Sequence, residues 1–436
     1  GGSGVEAAAL EREIEALLAE LDGVEAAIRR QAPRTARTAG TAGDTGELDA
    51  AAIQRLLDPG TLLLELALGE ERSYAWAVSD RGIRSVVLPE EREIERQARQ
   101  LYEALSAVET GGHPEAGDGL GRVLLEPVWA EVARARRLAV VPDAALNLVP
   151  WGALRVPLPG QGWSGRERVP LLEEKEVVEI PSATTLAVQR RRLAGRPTAA
   201  RWAVIFADPV FGADDPRVAA GQRTAAAGGA GLTRDRGADP LSPRFGRLPA
   251  TRREADAIAG LAPAGQVFKA LDFAANREAV LSGELRRYRI VHFATHALAD
   301  TRNPELSGLV LSQVDAGGRP RGGILRLPDL YDLDLAADLV VLSGCQTALG
   351  RELRGEGLMG LTRGFEAAGA PRVVGSLWRV EDRATAEIMR RLYRGMWLQG
   401  STPAAALRAA QRAVRRDPRY RDPHFWAGFV HQGDWR

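Results

Sequence analysis

Apolar and polar positions alternate along this chain in three successive rhythms. Over residues 5–32 the apolar positions recur at helical spacing, with Leu10, Ile14, Leu17, Leu18 and Leu21 on one face; such a stripe predicts an amphipathic helix packed on a larger body. Residues 33–47 are rich in Thr, Ala, Gly and Arg, carry no period and read as a linker. Three short apolar runs separated by turn residues follow, Thr61–Leu68, Ser73–Val78 and Ile83–Val87, and predict an antiparallel meander. A helix is predicted over roughly 91–108.

From about residue 122 apolar strand candidates alternate with helical segments. The strands are Leu138–Val141, Val177–Ile180, Trp202–Phe206, Ile290–Phe293, Leu339–Leu342 and Val373–Leu377, and the helices span 182–194, 251–261, 275–286, 358–369 and 383–398. This order predicts an α/β layered fold with a mostly parallel central sheet flanked by helices, in addition to the N-terminal helix and the antiparallel strand region. The expected division is 1–47 for the helix and linker, 48–120 for the strand and helix region, and 121–436 for the main domain. A Gly-, Ala- and Arg-rich segment at 212–247 interrupts the alternation with several arginines, among them Arg223, Arg234, Arg236 and Arg244. A loop of that length is functional or flexible, and is an expected site of nicking.

Composition narrows the function classes. Apolar residues make up 45% of 436, ordinary for a globular protein, and the net charge of +1 supplies no field for nucleic acid or an acidic membrane. Lys175 and Lys269 are the only lysines, so the positive charge is almost all arginine. One cysteine cannot form an internal disulfide, no apolar stretch is long enough for a membrane span, and no signal peptide opens the chain; a cytoplasmic location is the expectation. The opening Gly1–Gly2–Ser3–Gly4, without methionine, reads as a scar left by expression.

The single cysteine, Cys345, follows the apolar run Leu339–Leu342 in the context Ser343–Gly344–Cys345–Gln346. In sheets of this class, sites form beyond the carboxyl ends of strands. A lone cysteine in a strand is usually a small buried hydrophobe, but a second strand candidate ends in a histidine, in Val291–His292–Phe293–Ala294–Thr295–His296. His292 sits within the apolar run and reads as a core residue. His296, at the strand exit, is the better base for a thiol nucleophile. His113, His424 and His431 fall in loop-like contexts without a partner pattern. Gly355–Glu356–Gly357–Leu358–Met359–Gly360 matches a dinucleotide fingerprint in letters only, because a charged stretch precedes it instead of a strand. No zinc-type cluster and no G-x-S-x-G elbow is visible, and no cofactor or metal is expected.

Several ordered stretches carry a family resemblance. VHFATHA (291–297), LVVLSGCQTA (339–348), GEGLMGLTRGFEAAGAPRVVGSLWRVEDRAT (355–385), HFWAGFVHQGDW (424–435) and VPDAALNLVPWGAL (141–154) resemble the CHAT domain, a caspase-like cysteine peptidase family related to separases. With the segment around residues 56–78, the resemblance covers roughly 50–436. It implies a caspase-like layered fold and a cysteine endopeptidase in which Cys345 is the nucleophile and His296 the general base. The backbone N–H groups of Cys345 and Ala297 would form the oxyanion hole, with Ala297 standing where the family usually has glycine. Ser376, Leu377, Trp378 and Arg379 resemble the strand edge that pairs with an extended substrate. Asp382 and Asp143 stand where carboxylates would receive a basic P1 side chain.

The resemblance further implies a protein or peptide substrate, which could be a gasdermin-like effector in a bacterial defence pathway. A helical-repeat sensor region or regulatory partner is implied too. The alternative is an interaction module that kept the fold and lost the chemistry.

Overall fold

The computed structural model describes residues 48–107, 117–165, 167–218, 245–298, 306–344 and 356–436. Its strands in chain order are β1 (Thr61–Ala67), β2 (Ser73–Ser79), β3 (Gly82–Leu88), β4 (Arg137–Val141), β5 (Arg155–Pro157), β6 (Arg168–Pro170), β7 (Glu176–Glu179), β8 (Arg201–Pro209), β9 (Val267–Asp272), β10 (Tyr288–Ala294), β11 (Ala297–Leu298), β12 (Gly308–Val310), β13 (Ile324–Arg326), β14 (Leu339–Leu342), β15 (Arg372–Ser376) and β16 (Phe429–Gly433). Eleven of them form one sheet in the order β3-β2-β1-β4-β7-β16-β15-β14-β10-β8-β9. The meander β1–β3 is antiparallel as its pattern suggests, yet β1 also pairs in parallel with β4, so residues 61–88 extend the main sheet.

Strand direction divides this sheet. β15, β14, β10, β8 and β9 run parallel to one another. β16 pairs antiparallel to β15 and parallel to β7, and β7, β4 and β1 follow the same direction as β16. The two blocks therefore present their carboxyl ends at opposite edges of the sheet. The central strands are covered on both faces, and all four residues of β14 are buried. That explains the unbroken apolar runs at 290–293 and 339–342. Phe206 stacks on Phe293, which in turn meets Phe365 at a tilt, with ring centroids 5.1 and 5.5 Å apart.

Helices Pro249–Ala259 and Asp382–Gln399 pack against each other beside the ends of β8, β10 and β14. The helix predicted over 275–286 is split into Arg277–Leu281 and a turn at Glu284–Arg287, because Gly283 between them has φ 80°, a left-handed conformation that ends the first helix. β16 has no counterpart among the strands that the apolar pattern predicts. It is a central strand that buries His431 and Gln432, so its composition does not look like a strand interior. His431 thus belongs to a strand and not to a loop, and burial pushes its pKa down to about 3. His424 is also buried, its Nδ1 2.9 Å from the Leu105 carbonyl. His113 lies outside the described residues.

Candidate active site

Two adjacent parallel strands deliver the site. β10 pairs in register with β14, Phe293 opposite Leu342, so the residues that follow each strand leave the sheet side by side. They do so in unusually close contact. A Cβ placed on Gly344 would lie 2.4 Å from the Thr295 carbonyl oxygen and 2.5 Å from its nitrogen, distances no side chain tolerates. Glycine at 344 is therefore what lets the β14 exit press against the residue before His296. Cys345, next in the chain, lies outside the described residues.

His296 is 4% exposed and held on three sides. Phe211 and Phe245 pack against the imidazole, at centroid distances of 5.1 and 5.5 Å. Its Nε2 lies 2.7 Å from the Gly246 carbonyl oxygen. A carbonyl only accepts, so Nε2 carries the hydrogen, and in the neutral ring Nδ1 is the lone-pair nitrogen. Burial lowers the imidazole pKa. The Gly246 carbonyl opposes that shift, Arg379 reinforces it and Asp382 opposes it. The ring is thus biased toward the neutral form that a general base requires.

Ala297 opens β11 and stands opposite Leu309 of β12. Val310 N–H donates to the His296 carbonyl, which makes Ala297–Leu309 a non-hydrogen-bonded pair of the ladder. The Ala297 N–H is thereby directed away from β12. Alanine also needs no unusual backbone here, since the non-glycine residues at positive φ among the described residues are Ala144, Asp208 and Asp272.

His296, Ser343 and Gly344 line one cavity with Leu248, Ala250, Thr251, Glu254, Arg379, Val380, Asp382 and Thr385. Of the residues expected from the sequence, His296, Arg379 and Asp382 meet here, the last two exposed at the start of helix Asp382–Gln399. Asp143 does not. It follows β4, four strand positions from β14, a separation of about 19 Å at the usual strand spacing. Because β4 runs opposite to β14, Asp143 also lies at the other edge of the sheet, where it accepts the Leu68 N–H at 2.8 Å.

The expected substrate-pairing edge at Ser376 is already occupied. Ser376 pairs with Phe429, and Leu377 N–H donates to Gly428. Trp378 fills the core, 2% exposed, with its indole N–H on the His424 carbonyl at 3.0 Å and Tyr102 edge-on at 6.0 Å.

A buried polar chain beneath the cavity involves residues not singled out by the sequence. His292 Nδ1 lies 2.8 Å from Tyr393 Oη, and its Nε2 lies 2.9 Å from both Ser343 Oγ and Glu254 Oε1. Ser343 Oγ donates to the same Glu254 oxygen at 2.6 Å. All roles are satisfied when Tyr393 donates to Nδ1 and the Nε2 hydrogen faces Ser343 and Glu254. His292 is thus a core residue, as its place in the apolar run predicts, and it anchors the β14 exit. Glu254 had a signal: with Thr251, Ala255 and Ile258 it occupies the buried stripe of its helix, where an unpaired carboxylate would be costly. Gly246 had none.

The fold is a caspase-like α/β architecture. The chain belongs to the CHAT domain family, whose model matches residues 114–434. It is 30% identical to Tetratricopeptide repeat protein 28 of Mus musculus over 221 residues, covering 43% of this chain and 8% of that protein. To the protein of the same name from Homo sapiens it is 26% identical over 362 residues, covering 76% of this chain and 13% of the relative. The chain therefore spans only a small part of these relatives. Among solved structures it is similar to separase in the Saccharomyces cerevisiae separase–securin complex, with a TM-score of 0.51 and 10% identity over 87% of this chain and 30% of that one. The Arg-specific cysteine proteinase gingipain R (RgpB) of Porphyromonas gingivalis matches with a TM-score of 0.39 and 9% identity, over 79% of this chain and 74% of that one. Among the described residues no helix is long and apolar enough to cross a membrane, and no group of three or more His, Cys, Asp or Glu is placed to hold a metal ion.

Proposed function

We propose that this chain is a cysteine endopeptidase in which His296 is the general base and Cys345 the nucleophile. The observation that carries the reading is the placement of His296: buried, locked with its hydrogen on Nε2, and lining one cavity with the Ser343–Gly344 exit that leads directly into Cys345. In this mechanism the Cys345 thiol gives its proton to His296 Nδ1 and the thiolate sulfur attacks the substrate carbonyl carbon. The oxyanion so formed accepts from the N–H groups of Ala297 and Cys345. His296 then protonates the leaving amine, and water hydrolyses the thioester.

The substrate is a protein or peptide cut after a basic residue. Asp382, which shares the cavity with His296, supplies the counter-charge for a P1 arginine. The test compares wild type, Cys345→Ala, Asp382→Ala and Asp143→Ala on an arginine-containing peptide library and on a gasdermin-like protein. Cleavage is expected to vanish in Cys345→Ala. Asp382→Ala should lose arginine-substrate turnover at least about tenfold more than neutral-substrate turnover, since a charged hydrogen bond is worth about 1.5–3 kcal/mol. Asp143→Ala should leave the preference unchanged. Equal cleavage by wild type and Cys345→Ala would refute the peptidase reading, and retained arginine preference in Asp382→Ala would refute the pocket.

A further inference from the structure

Among the described residues, the ring contacts and the hydrogen bond that hold the His296 imidazole come from residues flanking segment 219–244. Phe211 follows β8, and Phe245 and Gly246 lie two and one residues before Arg247. Near Phe211 is Asp208, whose carboxylate is fully buried and ringed by guanidinium groups. Arg247 approaches it as a two-pronged fork, Nε to Oδ1 at 3.1 Å and Nη2 to Oδ2 at 3.0 Å. Arg252 Nε donates to Oδ2 at 2.9 Å, and Arg217 Nη1 lies 3.2 Å from Oδ1. Arg217 and Arg252 continue to Asp272, and Arg217 to Asp215, so three arginines face three aspartates. Asp208 and Asp272 both have left-handed backbones, φ 46° and 53°. Non-glycine residues hold such conformations only when their surroundings over-determine them, which is common beside functional sites.

A buried ion cluster is weak evidence for stability, because desolvation offsets much of the attraction; its best-supported use is to fix a geometry. Here the geometry is the Gly246 carbonyl. We infer that Asp208 and Arg247 are positioning residues for the catalytic base: the buried carboxylate grips the Arg247 fork and so holds the adjoining Gly246 carbonyl on His296 Nε2. The inference rests on the peptidase reading for its effect on catalysis, but the held carbonyl can be observed separately. Arg252 provides the control. It bonds to the same carboxylate from helix Pro249–Ala259 and is not joined to Gly246.

The experiment uses the full chain with ¹⁵N-labelled histidine, and the five histidines make the spectrum simple. His296→Gln assigns its ring N–H signal by loss. Wild type is expected to show a His296 Nε2–H proton in slow exchange with water, as a buried donor to a carbonyl should. Arg247→Ala should lose that signal to fast exchange, with an unchanged near-UV circular dichroism spectrum. On a cleaved peptide, kcat should fall about 10²-fold while KM moves less than about twofold, the cost expected of a misplaced catalytic group. Arg252→Ala should keep both the signal and kcat within about threefold of wild type. Should Arg247→Ala not fold, Arg247→Lys carries the same readout, because a single ammonium cannot span both carboxylate oxygens.

A persistent signal in the Arg247 variant, or equal loss in Arg252→Ala, would overturn the inference. If no peptide is cleaved by wild type while the exchange pattern follows this expectation, the peptidase reading fails and the positioning role stands.

Discussion

His296 shows how a few contacts can set the chemistry of one side chain. Burial takes the imidazolium out of water, and the Gly246 carbonyl chooses which nitrogen keeps its hydrogen. Because the lowered pKa leaves the ring neutral over a wider range, the acidic limb of kcat/KM should fall below the ordinary histidine value of about 6.5. Activity should thus decline on acidification with its midpoint below about 6.5, a limb absent from the substrate's own titration. A limb centred above 6.5 would mean that a different group controls the rate. Arg379 and Asp382 push this pKa in opposite directions, so Asp382→Ala should move the limb to lower pH.

At the scale of elements, the close approach of the β10 and β14 exits decides whether the site exists. Gly344→Ala places a methyl group against the Thr295 backbone, where no flexible side chain can yield. It should lower cleavage by about 10²-fold or more through displacement of the residues that follow. Gly360→Ala, whose new methyl would meet Leu327 at 3.6 Å among the described residues, serves as the matched control. It should retain activity and gain about 0.5–1 kcal/mol in stability, as alanine does for glycine inside a helix. Denaturant melts and initial rates of the two variants check both statements.

The same elements explain what was legible in the sequence. The runs at 290–293 and 339–342 stand out because strands covered on both faces favour apolar residues along their length, and His296 stands three residues past the end of one such run. β16 was hidden because it carries His431 and Gln432 into the interior. Asp143 stands away from the cavity for a different reason. Local pattern locates a strand end but not its direction, and the reversal between β15 and β16 sends that end to the opposite edge. Gly246 and Arg247 sit in a stretch with no periodicity, so their roles arise only from tertiary contacts.

Across the molecule, the 11-stranded sheet also buries ionisable groups such as Glu179 and His431, whose titration contributes to the pH response of folding. Glu179, fully buried on β7 and accepting from Gln432 at 3.2 Å, has its pKa pushed up to about 8 by desolvation. The folded chain therefore holds a proton that the unfolded chain releases near 4.5. This contribution to stability is fully present below that pH and is lost as pH rises through about 8, at a slope of up to about 1.4 kcal/mol per pH unit. Glu179→Gln preserves the shape and removes the proton, so its melting temperature should decline less between pH 5 and 8 than that of wild type. Parallel declines would show that Glu179 is not the source.

The central claim is that His296 activates Cys345, and the presence of a single cysteine makes it directly measurable. The chain is exposed to an arginyl peptide bearing a thiol-reactive ketone, and the intact mass is followed over time at neutral pH. The account predicts one adduct on wild type, none on Cys345→Ala, and labelling at least about 10²-fold slower on His296→Ala, in line with the loss of general-base assistance. Labelling of His296→Ala at the wild-type rate would contradict it.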